Sequence, residues 1–310
     1  MSTATQPLVV DRSNIAVLLK DYAELIKLRV TSLIVMTAWC GFFFGALKSG
    51  VSSLSWSLFH ALLGIGLVAG GTAALNEVME RDIDGLMRRT SIRPLPCKRM
   101  SIEHALLVGI AMALGGVIYL SLALNVLTGL LALATSVVYL AAYTPLKQVS
   151  PICTLIGAFP GAMPGVLGWT AARGRVDWEA LVLFGIVFLW QFPHFFSIAW
   201  LYREDYSAGG IRMLPVVEKD GRSTARNIVG YSIALVPVSM LPSLMGMSGK
   251  VYLTGALVLS ATLLWFGVRL RNLKLAPAAP RSKMFARHLL QATVFYLPLL
   301  FALMMLNAVS

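Results

Sequence analysis

Apolar residues fall along this chain in continuous runs of about 20, not in the two-residue alternation of a strand or the narrow stripe of a surface helix. Nine runs stand out, at about 30–47, 57–79, 103–122, 125–144, 152–171, 178–200, 227–246, 251–269 and 289–308. At about 1.5 Å of rise per residue, each can cross ~30 Å of hydrocarbon as a helix. The strands of a membrane barrel would instead alternate apolar and polar positions. The pattern therefore predicts an all-α integral membrane protein of nine transmembrane helices. Residues 1–29 form an N-terminal segment, and 30–310 form a single polytopic domain.

Composition sharpens this picture. Of the 310 residues, 57% are hydrophobic and 13% charged, whereas an ordinary soluble domain carries about 25% charged residues. A soluble globular protein, a disordered chain and a disulfide scaffold are excluded. Cys40, Cys97 and Cys153 are odd in number and widely spaced, so neither a disulfide framework nor a metal cluster follows.

The formal charge of +12 is explained by topology, and no nucleic-acid partner is expected. All but four of the 26 Lys and Arg residues fall in alternate loops; the exceptions are Lys48, Arg173, Arg175 and Lys250. Cytoplasmic loops collect such cations, which places the N-terminus in the cytoplasm and the C-terminus outside. Every acid except Asp177 and Glu179 shares the cation-rich face, so polar chemistry is concentrated there. Two segments, 76–99 and 194–226, look like a weak internal repeat. Residues 1–29 hold no apolar signal region and no Arg-rich transit pattern, so a bacterial plasma membrane is expected.

Four segments carry candidate chemistry. Asn76, Glu80 and Asp84 stand at i, i+4 and i+8 at the cytoplasmic end of the second span. They form one stripe, drifting about 40° per step, while Asp82 points away. An amide and two carboxylates supply the hard oxygens that Mg²⁺ takes while it shares substrate phosphates. Next comes Arg88-Arg89-Thr90-Ser91-Ile92-Arg93-Pro94-Leu95-Pro96. Its guanidinium forks suit a diphosphate, and adjacency to the acids raises Arg88 and Arg93 above the other arginines. The third segment, Tyr143-Thr144-Pro145-Leu146-Lys147, closes the fourth span; composition alone favours an interfacial anchor, with Lys147 snorkelling to the headgroups. The fourth is Trp190-Gln191-Phe192-Pro193-His194-Phe195-Phe196, where Pro193 should disturb the sixth span and His194 sits among aromatics. A neutral imidazole there suits haem iron or acid–base work. His60, His104 and His288 lie near span ends without such company and read as structural.

Together these segments resemble the UbiA-type intramembrane prenyltransferases, over about residues 20–305. The Trp190–Phe195 run, Gly168-Trp169, Arg93-Pro94-Leu95 and Glu204-Asp205-Tyr206-x-x-Gly209-Gly210-Ile211 point to the branch of that superfamily that farnesylates haem. The resemblance implies a nine-helix bundle around a central cavity. It also implies transfer of farnesyl from farnesyl diphosphate to a vinyl group of haem B with addition of water. By position, Asn76, Glu80 and Asp84 would be the Mg²⁺–diphosphate motif, and Arg88, Arg93, Tyr143, Lys147 and Arg203 would bind diphosphate. Trp190, Gln191 and His194 would meet the haem, and Trp190, Phe192 and Phe195 are candidates to stabilise an allylic cation. The second acidic motif departs from the superfamily's paired aspartates, offering Glu204 and Asp205 instead.

Two further expectations concern partners: membrane lipid, and a downstream haem-modifying enzyme or terminal oxidase. On the residues alone, three other functions stay open: prenyl transfer to an aromatic or quinone-precursor acceptor, cation-coupled transport, and non-catalytic haem binding.

Overall fold

The computed structural model describes residues 15–273 and 275–309. Arg12, Lys274 and the rest of segment 1–14 lie outside the described residues. A short helix, α1 (Ile15–Leu25), precedes α2 (Leu28–Lys48), α3 (Trp56–Leu86), α4 (Ile102–Ala123) and α5 (Val126–Leu146). There follow α6 (Cys153–Arg173), α7 (Trp178–Leu201), two short helices α8 (Arg203–Ala208) and α9 (Leu214–Val217), then α10 (Arg222–Leu244), α11 (Lys250–Asn272) and α12 (Pro280–Leu306). Among the described residues, nine of these helices are long and apolar enough to cross a membrane, α2–α7 and α10–α12.

Three boundaries differ from the hydropathy reading. Helix α3 runs on to Leu86, α10 begins at Arg222 and α12 begins at Pro280. Each extension is made of charged turns that continue the helix beyond its apolar stretch, where hydropathy gives no signal. Arg281, Lys283 and Arg287 thus belong to the first turns of α12. Pro193 leaves α7 unbroken. The helix continues through the proline while packed against α6, α10 and α12.

Capping and small residues set the helix pairs. Ser55, Ser101 and Asn125 accept from the third amide after them at the starts of α3, α4 and α5. Helix α2 lies between α3 and α6, and α7 packs on α6, α10 and α12, with α12 returning to α2. The approach of α2 to α6 is close enough that a Cβ on Gly168 would sit 1.8 Å from the Ala38 carbonyl oxygen. In lipid, where chains and tails are equally apolar, such backbone proximity is what drives helix association. The largest buried cluster lies between α6, α7 and α10–α12, around Trp169, Phe192, Trp200, Tyr252 and Tyr296.

Candidate active site

The acidic stripe lies wholly within helix α3, on its inward face. Asn76, Glu80 and Asp84 are all buried, and each bonds a cation from a different element. Lys27 Nζ donates to Asn76 Oδ1 at 2.6 Å, Lys147 Nζ to Glu80 Oε1 at 2.7 Å, and Arg93 Nη1 to Asp84 Oδ2 at 2.6 Å. The Thr90 hydroxyl also donates to the Asp84 carbonyl at 2.9 Å, which folds the arginine loop back under the end of α3. The exposed Asp82 pairs with Arg81 outside this set.

Local backbone explains how the cations arrive. Lys27 sits at the α1–α2 junction with φ +48°, a left-handed conformation uncommon for a lysine, and this turn aims its side chain at Asn76. In α5, residues Val138–Tyr143 form a π-helical turn. The extra residue per turn rotates the end of the helix, so that Thr144 accepts from the Asn76 amide at 3.0 Å and Lys147 reaches Glu80. The snorkelling expectation for Lys147 is therefore corrected: its side chain is 13% exposed and turned inward, because a buried carboxylate holds it more strongly than the headgroup region would. The Tyr143 ring lies 4.5 Å below the same ammonium and packs against Gly157.

Glu77 was not singled out from the sequence. It is fully buried, and among the described residues neither carboxylate oxygen has a hydrogen-bond partner. Its spacing, three before Glu80 and seven before Asp84, was a legible signal that it shares their side of the helix. Lys27 had no such signal, since a cation before a span reads as topology.

The remaining candidates divide. The Arg203 guanidinium donates to the carbonyls of Val216 and Glu218, at 3.4 and 2.5 Å, and so ties α8 to α9. Glu204 accepts from Lys283 Nζ at 2.9 Å, a bond that holds its carboxyl below the ordinary carboxylate range. Asp205 is half-buried and Arg88 exposed. The guanidinium of Arg89, one residue on from Arg88, lies 4.9 Å from the Tyr202 ring and 5.4 Å from the Tyr206 ring.

On α7, Trp190 and His194 stack with ring centroids 4.8 Å apart and share one residue of α12. Trp190 Nε1 donates to the Thr293 carbonyl at 2.8 Å, and His194 Nδ1 lies 2.9 Å from the Thr293 hydroxyl. Gln191 points elsewhere, donating to the Ala158 carbonyl of α6 at 3.1 Å. Phe192 stacks on Tyr231 of α10 at 3.7 Å, whereas Phe195 joins Tyr143 and Tyr206 in a separate cluster. His60 bonds Tyr119, His104 bonds Tyr22, and His288 lies beside the tilted rings of Phe266 and Phe285.

Among the described residues, no three acidic, histidine or cysteine side chains stand close enough to hold a metal by themselves. The donor set on α3 is nevertheless of the right chemistry. It has buried hard oxygens, one carboxylate with both oxygens unsatisfied, and room in the coordination of Mg²⁺ for waters and substrate phosphate.

Comparison with known proteins finds relatives over nearly the full length of the chain. A protein of Koribacter versatilis named protoheme IX farnesyltransferase is 62% identical over 99% of both chains. A protein of Solibacter usitatus with the same name is 47% identical over 93% of this chain and 99% of its own. Among solved structures, digeranylgeranylglyceryl phosphate synthase superimposes with a TM-score of 0.74 at 16% identity, covering 93% of this chain and 98% of that one. A UbiA homolog from Archaeoglobus fulgidus bound to DMAPP and Mg²⁺ gives 0.58 at 17% identity, covering 92% and 99%. The UbiA prenyltransferase family profile matches residues 34–307, and the chain belongs to that family.

Proposed function

We propose that this protein transfers farnesyl from farnesyl diphosphate to a vinyl group of haem B, with addition of water, giving haem O and diphosphate. The reading is carried by the α3 stripe, whose three buried oxygen groups each meet a cation from a different element, in a chain so similar to protoheme IX farnesyltransferases. A cation-coupled transporter would place its polar groups near the middle of the membrane. Here they gather at one end of the bundle.

Asn76, Glu80 and Asp84, with Glu77 beside them, would hold Mg²⁺, which neutralises diphosphate charge when bound. Lys27, Lys147 and Arg93 already stand on these oxygens and are placed to turn their N–H groups to the diphosphate, stabilising charge on the leaving oxygen. Trp190 and Phe195 are the aromatic candidates for facing the allylic carbon; Phe192 is committed to Tyr231. Thr293 occupies Nδ1 of His194 and leaves Nε2 to bind iron or orient the water that quenches the haem cation. Apolar helices exclude other water from that cation. The site faces the cytoplasm of a bacterial inner membrane, where the cation-rich loops lie. A haem-modifying enzyme or an oxidase would receive the product.

The deciding experiment incubates purified protein in lipid nanodiscs with haem B, farnesyl diphosphate and Mg²⁺, followed by mass spectrometry of the haems. A Mg²⁺-dependent haem heavier by one farnesyl group and one hydroxyl group is expected. Unchanged haem with farnesyl diphosphate consumed on a quinone precursor would keep the family and overturn the acceptor.

A further inference from the structure

Among the cations around the site, Lys27, Lys147 and Arg93 each bond an oxygen of the stripe, and Arg203 is bound to carbonyls. Among the described residues, Arg89 bonds no carboxylate. Its guanidinium lies 4.9 Å from the Tyr202 ring and 5.4 Å from the Tyr206 ring, and Nη2 is 3.4 Å from the Tyr206 hydroxyl. Two π faces hold the planar head, yet most of its five N–H donors stay free for an anion. The clasp also joins the loop after α3 to helix α8, and Gly209 packs against Met87 and Ile83 beside it.

The surroundings indicate which anion. Tyr206 belongs to one apolar cluster with Phe195, the neighbour of His194, and with Tyr143, whose ring lies under Lys147. Arg89 thus stands at the rim of an apolar cluster that includes three aromatic side chains and reaches the histidine run of α7, whereas three other cations already stand on the stripe where the diphosphate would bind. A porphyrin is a flat apolar ring with two carboxylates on one edge, and such a cluster with a guanidinium at its rim matches that polarity and charge.

We propose that Arg89, clasped by Tyr202 and Tyr206, binds a propionate carboxylate of the haem and so fixes which way the acceptor enters the site. The inference rests on the haem-farnesylating reading above. Its shared chemistry with diphosphate is the anionic oxygen, and the experiment separates the two sources.

The test measures steady-state kinetics in nanodiscs for the unaltered protein and for Arg89→Gln and Arg89→Lys, varying haem B and farnesyl diphosphate separately. A second series replaces haem B by its dimethyl ester. A charge-assisted hydrogen bond is at stake, so Arg89→Gln should raise KM for haem about 10- to 100-fold, leaving KM for farnesyl diphosphate within about 2-fold. Arg89→Lys should recover part of the loss. The unaltered protein should handle the ester as poorly as Arg89→Gln handles haem B, and the ester should cost that variant nothing further. A rise confined to KM for farnesyl diphosphate would assign Arg89 to the diphosphate and overturn the proposal. Equal use of haem B and its ester by the unaltered protein would overturn it too, without depending on any variant folding. If the unaltered protein farnesylates no haem at all, the functional reading fails first and this inference falls with it.

Discussion

Asn76, Glu80 and Asp84 each meet a cation, while Glu77 beside them is buried without a hydrogen-bond partner among the described residues. Asp84 is 1% exposed, and its carboxylate is balanced by Arg93. Asp84→Asn keeps an oxygen for Arg93 but removes the charge offered to a metal, so turnover should fall by at least ~100-fold with thermal stability nearly retained. Full activity at saturating Mg²⁺, measured beside a melting curve, would remove Asp84 from the metal site. His194→Ala leaves the Trp190–Thr293 bond in place and should weaken haem binding about 10-fold or more in an optical titration. An unchanged titration curve would strike His194 from the haem contacts. The stripe itself was legible, because three polar groups at helical spacing entering an apolar run are functional candidates by default. Their counter-cations were not legible as such. Lys27 and Lys147 come from 49 and 67 residues away in sequence, and nothing local announces the pairing.

At the scale of elements, two features position those residues. The π turn Val138–Tyr143 rotates the end of α5 toward α3. Deleting Ala141 would remove the extra residue and turn Lys147 by about 100° away from Glu80. Activity should be lost with the helical circular dichroism unchanged; an active deletion variant would show that the turn is incidental. The second feature is the α2–α6 contact. Gly168→Ala would press a methyl onto the Ala38 carbonyl, at a cost of about 1–3 kcal/mol. Gly115→Ala, in α4, meets no atom within 4 Å and should be neutral or slightly stabilising. Thermal unfolding in detergent distinguishes the two, and similar melting temperatures would mean that the helix pair relaxes freely. Hydropathy identified all nine spans but stopped short at the charged turns of α3, α10 and α12, which continue the helix without an apolar signal. It also made too much of Pro193, because a proline in a packed bundle finds support that an isolated helix lacks.

For the whole molecule, orientation is the testable property. Cys97 is exposed in the loop after α3, and Cys40 and Cys153 are buried, so the chain carries its own single-site reporter. A membrane-impermeant maleimide should label Cys97 in inverted vesicles and leave it unlabelled in right-side-out ones. The reverse pattern would turn the active site to the outside and refute the reading from loop charge. A chelator should halt turnover, with activity restored by Mg²⁺ and the fold intact throughout, since the bundle is held by apolar and small-residue packing and not by metal.

By itself the sequence determined the membrane class, the number of spans, the face where polar chemistry gathers and the acidic stripe on α3. All of these follow from local composition and helical period, which one stretch of chain carries alone. Only the tertiary structure decided which cation meets which oxygen, that Lys147 turns inward, that Glu77 is buried without a partner, and that Gln191 parts from Trp190 and His194. It also brought Arg89 between two tyrosines of a distant segment. These are contacts between helices far apart in sequence, fixed by how small residues let the helices approach and by how one π turn and one left-handed lysine re-aim the chain.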